Sequence, residues 1–598
     1  MGKYVNSDFQ KILVIGVVVG IISGFGAYLF YSGLKYGSLF VMKYLWGYDY
    51  AAEGASIIDI ASWAPPEVGF LFLPIICVGA LISGYLVYTF APEAEGHGTD
   101  AAIAAFHGTG EIRRRVPLVK AVASIITIST GGSAGREGPT AQISAGFGSL
   151  VADKLGLSMK YRRIAIATGI GAGIGTIFKA PLGGAILAAE ILYTRDFESA
   201  AIVPAFIASV IGYSIFGILE GFDPVFGTVA ITWTVWQIPF FALLGIVCGL
   251  LGKLYCHSFY GTRDLFTNFF TRHGLPKKLK PVTGAFFIGV VFVIFWYLAP
   301  ETRMAALGSI GSGYGFIQLM MYNMVPLAVL IMIPFVRIFM TSFTIGSGGS
   351  GGVFAPGLTI GASAGAALGM ILHLVFPSLV AITAVPAFAV VGMIALFGGV
   401  ANAPISVLIM VIEMTHNYSL LPPAMVAVAI SFIVTSNDTI FWAQAESKLD
   451  SNAHRGEYHM DIARMISVGD AMVPGQQVIT LSPDTSSEEV VTLMNQTRHT
   501  GYPVVRDGVL VGIVTVGDLP NYHKGETDRP VSECMTEDVM TTSPDQTLDV
   551  VLRQMAENSV HHFPVTDSDG TCIGFLTTSD ILRSYTDTLT ELSNRKEE

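Results

Sequence analysis

Apolar runs without a single Asp, Glu, Lys or Arg dominate the first three quarters of the chain. Ile12–Leu34, Val68–Pro92 and Pro281–Pro300 are such runs, and each reaches the ~20 residues a helix needs to cross hydrocarbon. From Ile338 to Ile412 there are 75 residues without one such charge. Gly and Pro cut this stretch into pieces, some shorter than a full crossing. Near Gln444 the pattern changes: charge returns and apolar runs shrink to four to six residues, as in a soluble α/β domain. The expectation is a helical polytopic membrane unit followed by an α/β tail.

Composition supports this division. Of 598 residues only 13% are charged and 52% are hydrophobic, against about 25% charged in soluble domains. The 66 glycines matter, because broken helices survive in lipid only where protein or a watery cavity satisfies their backbone. The net charge of −11 sits largely in the tail, and no basic tract addresses nucleic acid. Five cysteines, Cys77, Cys248, Cys256, Cys534 and Cys572, lack metal-ligand spacing and read as unpaired packing residues. Residues 1–10 run straight into a 23-residue apolar segment, which reads as a first membrane helix rather than a signal sequence.

Both regions repeat internally. In the tail, Asp470-Ala-Met-Val-Pro matches Glu533-Cys-Met-Thr-Glu. Gly501-Tyr-Pro-Val-Val matches His562-Phe-Pro-Val-Thr, and Gly512-Ile-Val-Thr-Val-Gly-Asp matches Gly574-Phe-Leu-Thr-Thr-Ser-Asp, at spacings of 61 to 63 residues. Units of this size are small for independent cores, so two copies that bury each other are expected. In the membrane unit, Gly131-Gly-Ser-Ala-Gly-Arg-Glu-Gly-Pro139 aligns with Gly348-Gly-Ser-Gly-Gly-Val-Phe-Ala-Pro356. Ala180-Pro-Leu182 with Glu190 aligns with Ala403-Pro-Ile405 with Glu413. Inverted repeats with broken helices at the midplane are a plan used by secondary transporters.

Three Gly-rich breaks precede helix-competent runs: Gly96-His-Gly-Thr-Asp100, Gly135-Arg-Glu-Gly-Pro139 and Gly352-Val-Phe-Ala-Pro356. A helix N-terminus offers free N–H groups and partial positive charge, so several aimed at one point make an anion site without a buried cation. The plain alternative is helix-packing glycine. Glu137 lies in one of these nests. It is costly in a membrane unless something favours it, and it can occupy the anion's place as a gate, a proton acceptor or both. The alternative is a structural ion pair with Arg136.

These motifs resemble those of the CLC family of chloride channels and chloride/proton antiporters, carried by GREGP at 135–139, GVFAP at 352–356 and Ile412-Glu-Met-Thr415. The resemblance implies an α-helical polytopic membrane fold, a CLC-type inverted repeat with re-entrant broken helices. It also implies a cytoplasmic α/β tandem CBS (Bateman) module, the whole forming a homodimer with one pore per subunit. The expected divisions are the transport domain over 1–443, a linker over 444–460, CBS domains over 461–523 and 524–588, and a disordered tail over 589–598. Glu137 matches the family's gating glutamate. The expected anion-binding set is Gly96, His97, Gly98, Arg136, Gly138, Val353, Phe354 and Phe441, with Lys120 lending positive potential.

Several positions depart from the family pattern. His97 stands in place of a serine, Phe441 in place of a tyrosine, and Ile191 where coupled exchangers often hold an inner glutamate. These departures loosen strict chloride selectivity and favour weakly proton-coupled or channel-like flow over a tightly coupled antiporter. His97 is either a ring donor to the ion or a capping and packing residue. Glu190 and Glu413 read as structural, bonding helix ends near the dimer interface.

In the tail, Thr515-x-x-Asp518 and Thr577-x-x-Asp580 resemble a ribose-binding signature, with Tyr502 able to cover an adenine. The expected ligand there is an adenine nucleotide (ATP, ADP or AMP), with no other cofactor and no metal. The alternative is that each Thr–Asp pair caps a helix. The partners expected are chloride or another small anion, protons and the lipid bilayer. The location expected is a prokaryotic plasma membrane with the CBS pair cytoplasmic. A CBS-regulated divalent-cation transporter would need acids within the uncharged stretch. An intramembrane enzyme would need a motif such as HExxH, which the chain lacks.

Overall fold

The computed structural model describes residues 7–49, 53–56, 66–227, 229, 231–436, 438–454, 462–519 and 528–594. The linker stretch 455–460, residues 520–527 around the expected boundary of the two CBS domains and the final residues 595–598 lie outside the described residues. The chain forms two compact units, divided between Ala453 and His454.

The membrane unit is helical. Its first half holds α1 (Asp8–Ser38), α2 (Phe72–Phe90), α3 (Thr99–His107), α4 (Val116–Ser129), α5 (Glu137–Lys154), α6 (Met159–Ile177), α7 (Pro181–Glu190) and α8 (Ser199–Glu220). The second half holds α9 (Ile238–Arg272), α10 (Lys280–Leu298), α11 (Pro300–Leu307), α12 (Tyr314–Met321), α13 (Leu327–Thr341), α14 (Phe354–Val375), α15 (Val385–Val400), α16 (Pro404–Thr415) and α17 (Leu421–Thr435). Among the described residues, nine helical segments are long and apolar enough to cross a membrane. The 75-residue uncharged stretch spans parts or all of four helices, of which α16 has only 12 residues, too few to cross.

The faint sequence repeat is a structural one. α5 packs along α6 as α14 packs along α15, α1 along α8 as α9 along α17, and α7 meets α16. Small residues allow the close approach. A Cβ on Gly361 of α14 would stand 2.2 Å from the Gly392 carbonyl of α15, and one on Gly392 would stand 2.2 Å from that of Gly361. In the first half, a Cβ on Gly148 of α5 would lie 2.2 Å from the Ala165 carbonyl of α6.

The second unit contains α18 (Val468–Ala471), β1 (Val473–Pro474), α19 (Ser487–Thr497), β2 (Gly501–Arg506), β3 (Val509–Thr515), α20 (Leu548–Asn558), β4 (His562–Thr566), β5 (Cys572–Thr577) and α21 (Thr578–Asn594). One sheet is β1-β5-β4 and the other is β2-β3. The repeats exchange their leading segments. Val473 pairs with Phe575 of the second copy, and Thr536 pairs with Ile513 of the first. Val468 lies in the core with Val551, Phe563 and Leu576, while Val531 lies with Val490, Tyr502 and Val514. The sequence units are therefore not the packing units, because each small repeat completes its core with the other's leading segment. α21 runs through Asn594, which corrects the expected tail from 589. Ile581, Tyr585, Leu589 and Leu592 continue a helical spacing.

Candidate functional site

The three Gly-rich breaks meet. Gly135 N–H donates to the Gly352 carbonyl and Gly352 N–H to the Gly135 carbonyl, both at 2.7 Å. These glycines are equivalent positions in the two GGSxGxxxP motifs, so a local pseudo-two-fold relates the repeats here. The bridge is antiparallel, as two inverted copies require. The first break joins them: Gly96 N–H donates to the Gly349 carbonyl at 3.1 Å, and Gly351 N–H to the Gly96 carbonyl at 3.3 Å. The approach is closest at Gly138, where a Cβ would fall 1.8 Å from the His97 carbonyl oxygen.

Glu137 begins α5 and is buried. Its Oε2 accepts from the Ala355 N–H at 3.4 Å, one of the first-turn amides of α14 that a helix leaves without an intrahelical acceptor. The carboxylate thus sits at the positive end of the opposite repeat's helix, where an anion would be stabilised. Its Oε1 accepts from the Tyr314 hydroxyl. The Arg136 guanidinium turns elsewhere: it donates to Glu53 at 2.6 Å and lies 5.1 Å from the ring centres of both Tyr31 and Tyr314. The expected alternative pairing of Glu137 with Arg136 is not formed, and Arg136 is not on the Glu137 side as an anion ligand. Adjacent residues at a helix start point apart.

Two spaces flank this carboxylate. A cavity of about 560 Å³ is lined by Tyr31, Lys35, Glu53, Arg136, Glu220 and Tyr314. A small chamber is lined by Glu137 itself with Thr99, Ile191, Val353, Phe354 and Phe441. It leaves about 10 Å³ for the centre of a water-sized sphere, the room of roughly one water. The structure therefore gathers Glu137, Gly138, Val353, Phe354 and Phe441 around one point. Ile191 and Phe441 give that chamber an apolar wall.

The remaining expected residues serve the first break. Gly98 takes φ +86°, a conformation suited to glycine. His97 is buried, its ring 5.5 Å from that of Phe441 and 5.9 Å from that of Phe259. Its Nδ1 accepts from the Asp100 N–H at 3.4 Å, which is the capping alternative. Lys120 is fully buried and donates to the carbonyls of Ala94 (3.1 Å) and Gly96 (2.7 Å), so its ammonium braces the break.

Tyr314 and Arg337 escaped the sequence reading. Tyr314 follows Gly311-Ser-Gly313 and opens α12, a fourth Gly-rich break that signals its place. Arg337 is fully buried and donates to the carbonyls of Ile310, Gly311 and Ser312 at 3.1, 2.8 and 2.6 Å. Gly311 in turn bonds the Gly131 carbonyl and the Ala134 N–H. One guanidinium therefore braces the loop that presents Tyr314, and the Gly311 backbone of that loop bonds the loop that presents Glu137.

Glu190 and Glu413 form a reciprocal pair of caps. Glu190, ending α7, accepts from the amides of Ile405 (3.1 Å) and Ser406 (2.7 Å) at the start of α16. Glu413, near the end of α16, accepts from Leu182 (3.2 Å) and Gly183 (2.8 Å) at the start of α7. Each closes a helix N-terminus that lies in the other repeat.

In the second unit, Thr515 donates its amide and hydroxyl to Asp518 Oδ2 at 2.8 and 2.7 Å. Thr577 does the same to Asp580 at 3.0 and 2.6 Å. The second pair caps the start of α21, where the Asp580 N–H also donates to the Thr577 hydroxyl at 3.3 Å, and the first closes a turn in the same way. Tyr502 corrects its expectation: its ring is core, 2% exposed, and its hydroxyl pairs with Thr497, so no ring face is free to cover an adenine.

Residues 79–436 match the family model of the voltage gated chloride channel, and residues 468–522 and 531–587 match that of the CBS domain. The chain belongs to the CLC family. It is thus a CLC anion transporter with a CBS pair. The H(+)/Cl(-) exchange transporter ClcA of Vibrio cholerae is 32% identical over 402 residues, 64% of this chain and 79% of that protein. An uncharacterized protein of Methanocaldococcus jannaschii is 30% identical over 388 residues, 64% of this chain and 90% of that one. The solved structure of a slow cyanobacterial Cl−/H+ antiporter superposes with a TM-score of 0.58 at 25% identity, covering 71% of this CLC chain and 94% of its own. A eukaryotic CLC transporter covers 96% of this chain and 98% of its own at TM-score 0.55, with 18% identity, a likeness of fold alone.

Proposed function

We propose that this CLC protein exchanges chloride or another small anion for protons, with Glu137 as both gate and proton acceptor. The carrying observation is the Glu137 carboxylate at the N-terminus of α14. As a carboxylate it competes with an anion for the first-turn amides of that helix. Protonated, it loses its attraction for the positive helix end and yields the place. A proton on Glu137 and an anion at Val353 and Phe354 are thereby linked. Ile191 and Phe441 argued for passive flow; the relatives named as exchangers support coupling instead. The anion enters the small chamber past apolar walls, which favours a weakly hydrated ion. The CBS pair is the regulatory module in this reading, and an adenine nucleotide at Thr515, Asp518, Thr577 and Asp580 would have to open the two Thr–Asp pairs. Each subunit of a homodimer would carry its own path.

The test is the purified protein in chloride-loaded liposomes, with chloride efflux and external pH followed together. Uphill proton movement that collapses with a protonophore supports exchange. Chloride efflux without it returns the protein to passive flow. Glu137→Gln is expected to abolish proton movement and flatten the pH dependence of chloride flux.

A further inference from the structure

We propose that Asp100 is the second titratable station of the pathway, trading protons with Glu137 across the small chamber; this rests on the exchange reading above. Asp100 is the second residue of α3, on the break that carries His97. Its Oδ1 accepts from the Ala443 N–H at 2.7 Å. Its Oδ2 makes no hydrogen bond among the described residues, and the side chain is half-buried. One carboxylate oxygen is therefore clamped and the other is open.

Its neighbours place it beside the chamber wall. Thr99, which precedes it, lines the chamber together with Glu137, Ile191 and Phe441. The segment 441–444 wraps the same wall: Phe441 faces the chamber, Ala443 bonds Asp100, and Gln444 Nε2 donates to the Ile191 carbonyl at 3.0 Å. Asp100 therefore lies behind the part of the chamber wall that Thr99 and Phe441 form.

Other acids near this side are occupied. Glu95 pairs with Lys280 at 3.0 Å, Glu93 pairs with Arg113, and both oxygens of Glu190 take amides of α16. The titratable or charged groups facing Asp100 are His97 on its own break and Tyr260 and Arg263 of α9. The Arg263 guanidinium stacks 4.3 Å from the Trp442 ring centre, and Tyr260 donates to the Ile440 carbonyl at 2.7 Å. Lys120 is turned onto backbone carbonyls.

The step is a proton transfer only. The Glu137 carboxyl releases its proton to a chamber water, the water passes a proton on, and Asp100 Oδ2 takes it. Asp100 then returns it to solvent as the carboxylate re-forms.

Asp100→Asn keeps an acceptor for the Ala443 N–H and removes the titrating group. In the liposome assay it is expected to keep chloride efflux within about twofold while uphill proton movement falls at least tenfold. Asp100→Glu is expected to restore coupling with a shifted pH profile. A parent-like proton-to-chloride ratio in Asp100→Asn overturns the proposal and leaves exchange standing. Equal loss of both fluxes makes Asp100 structural and also overturns it. A parent that moves no protons overturns the exchange reading, and this proposal with it. If Asp100→Asn does not fold, Asp100→Glu decides: an unchanged pH profile of proton flux sinks the assignment.

Discussion

The hydroxyl of Tyr314 donates to Oε1 of Glu137, joining two repeats across 177 residues of sequence. The donor opens α12 and the acceptor opens α5, so neither can move without releasing the other. A hydrogen bond to a charged group contributes about 1.5–3 kcal/mol, which converts to roughly ten- to a hundredfold in an equilibrium. Tyr314→Phe is therefore expected to release the carboxylate from its closed position by that factor. Stopped-flow chloride efflux across a pH series checks this, and a variant with the parent's rates would show that the hydroxyl does not latch the gate.

Gly138 has no room for a methyl group, since its Cβ would meet the backbone oxygen of His97 at 1.8 Å. Gly138→Ala is expected to separate the first and second breaks and abolish transport. Gly26, on α1, has open space for 4 Å around the position its Cβ would take. Gly26→Ala is expected to keep flux and to gain up to about 1 kcal/mol from helix propensity. Comparing anion flux and thermal stability of the two variants in detergent separates close approach from a general intolerance of alanine.

Glu190 and Glu413 cap each other's repeat, so their loss is predicted to weaken the fold rather than the pathway. Glu190→Ala leaves two amides and the Ser406 hydroxyl without their acceptor, and Glu413→Ala leaves two amides. An orphaned buried donor costs about 1–3 kcal/mol, which applies in full to the Ser406 amide and hydroxyl and less to the exposed Leu182 amide. Both variants are expected to melt earlier, Glu190→Ala the more so, with the proton-to-chloride ratio unchanged. An altered ratio in folded protein would assign them a transport role.

Outside the membrane unit, Asp528 accepts from the hydroxyls of Ser487 (2.7 Å) and Ser486 (2.8 Å) and from the Glu488 N–H (3.0 Å). These bonds, that of Ser487 foremost, hold its carboxyl below the usual range. A depressed value means stability that is present above the unfolded-chain value of about 3.9 and is lost as pH falls through the folded one. The first turn of α19 is expected to lose hydrogen-exchange protection below about pH 4, after correction for intrinsic rates. Asp528→Asn should remove that dependence, and a flat profile in the parent would refute it.

Much of this protein is written locally. Uninterrupted apolar runs fix membrane helices because lipid cannot satisfy an open backbone. The breaks at Gly96, Gly135 and Gly352 mark helix N-termini because Gly and Pro act within one turn. The pairing of the GGSxGxxxP motifs, and of Glu190 with Glu413, is legible in residue order and spacing. What each side chain touches was decided only in three dimensions. Arg136 and Glu137 are neighbours in sequence, yet one bonds Glu53 and the other Tyr314 and the α14 terminus, because a helix start turns adjacent residues apart. Tyr314 reaches Glu137, Lys120 reaches the Gly96 carbonyl, and Val468 and Val531 cross into each other's cores through contacts that no periodicity encodes. Those contacts depend on which distant segments the packed helices and exchanged repeats bring together. The sequence by itself determined the helices, the repeats and the family; the tertiary structure decided the partners of the buried charges.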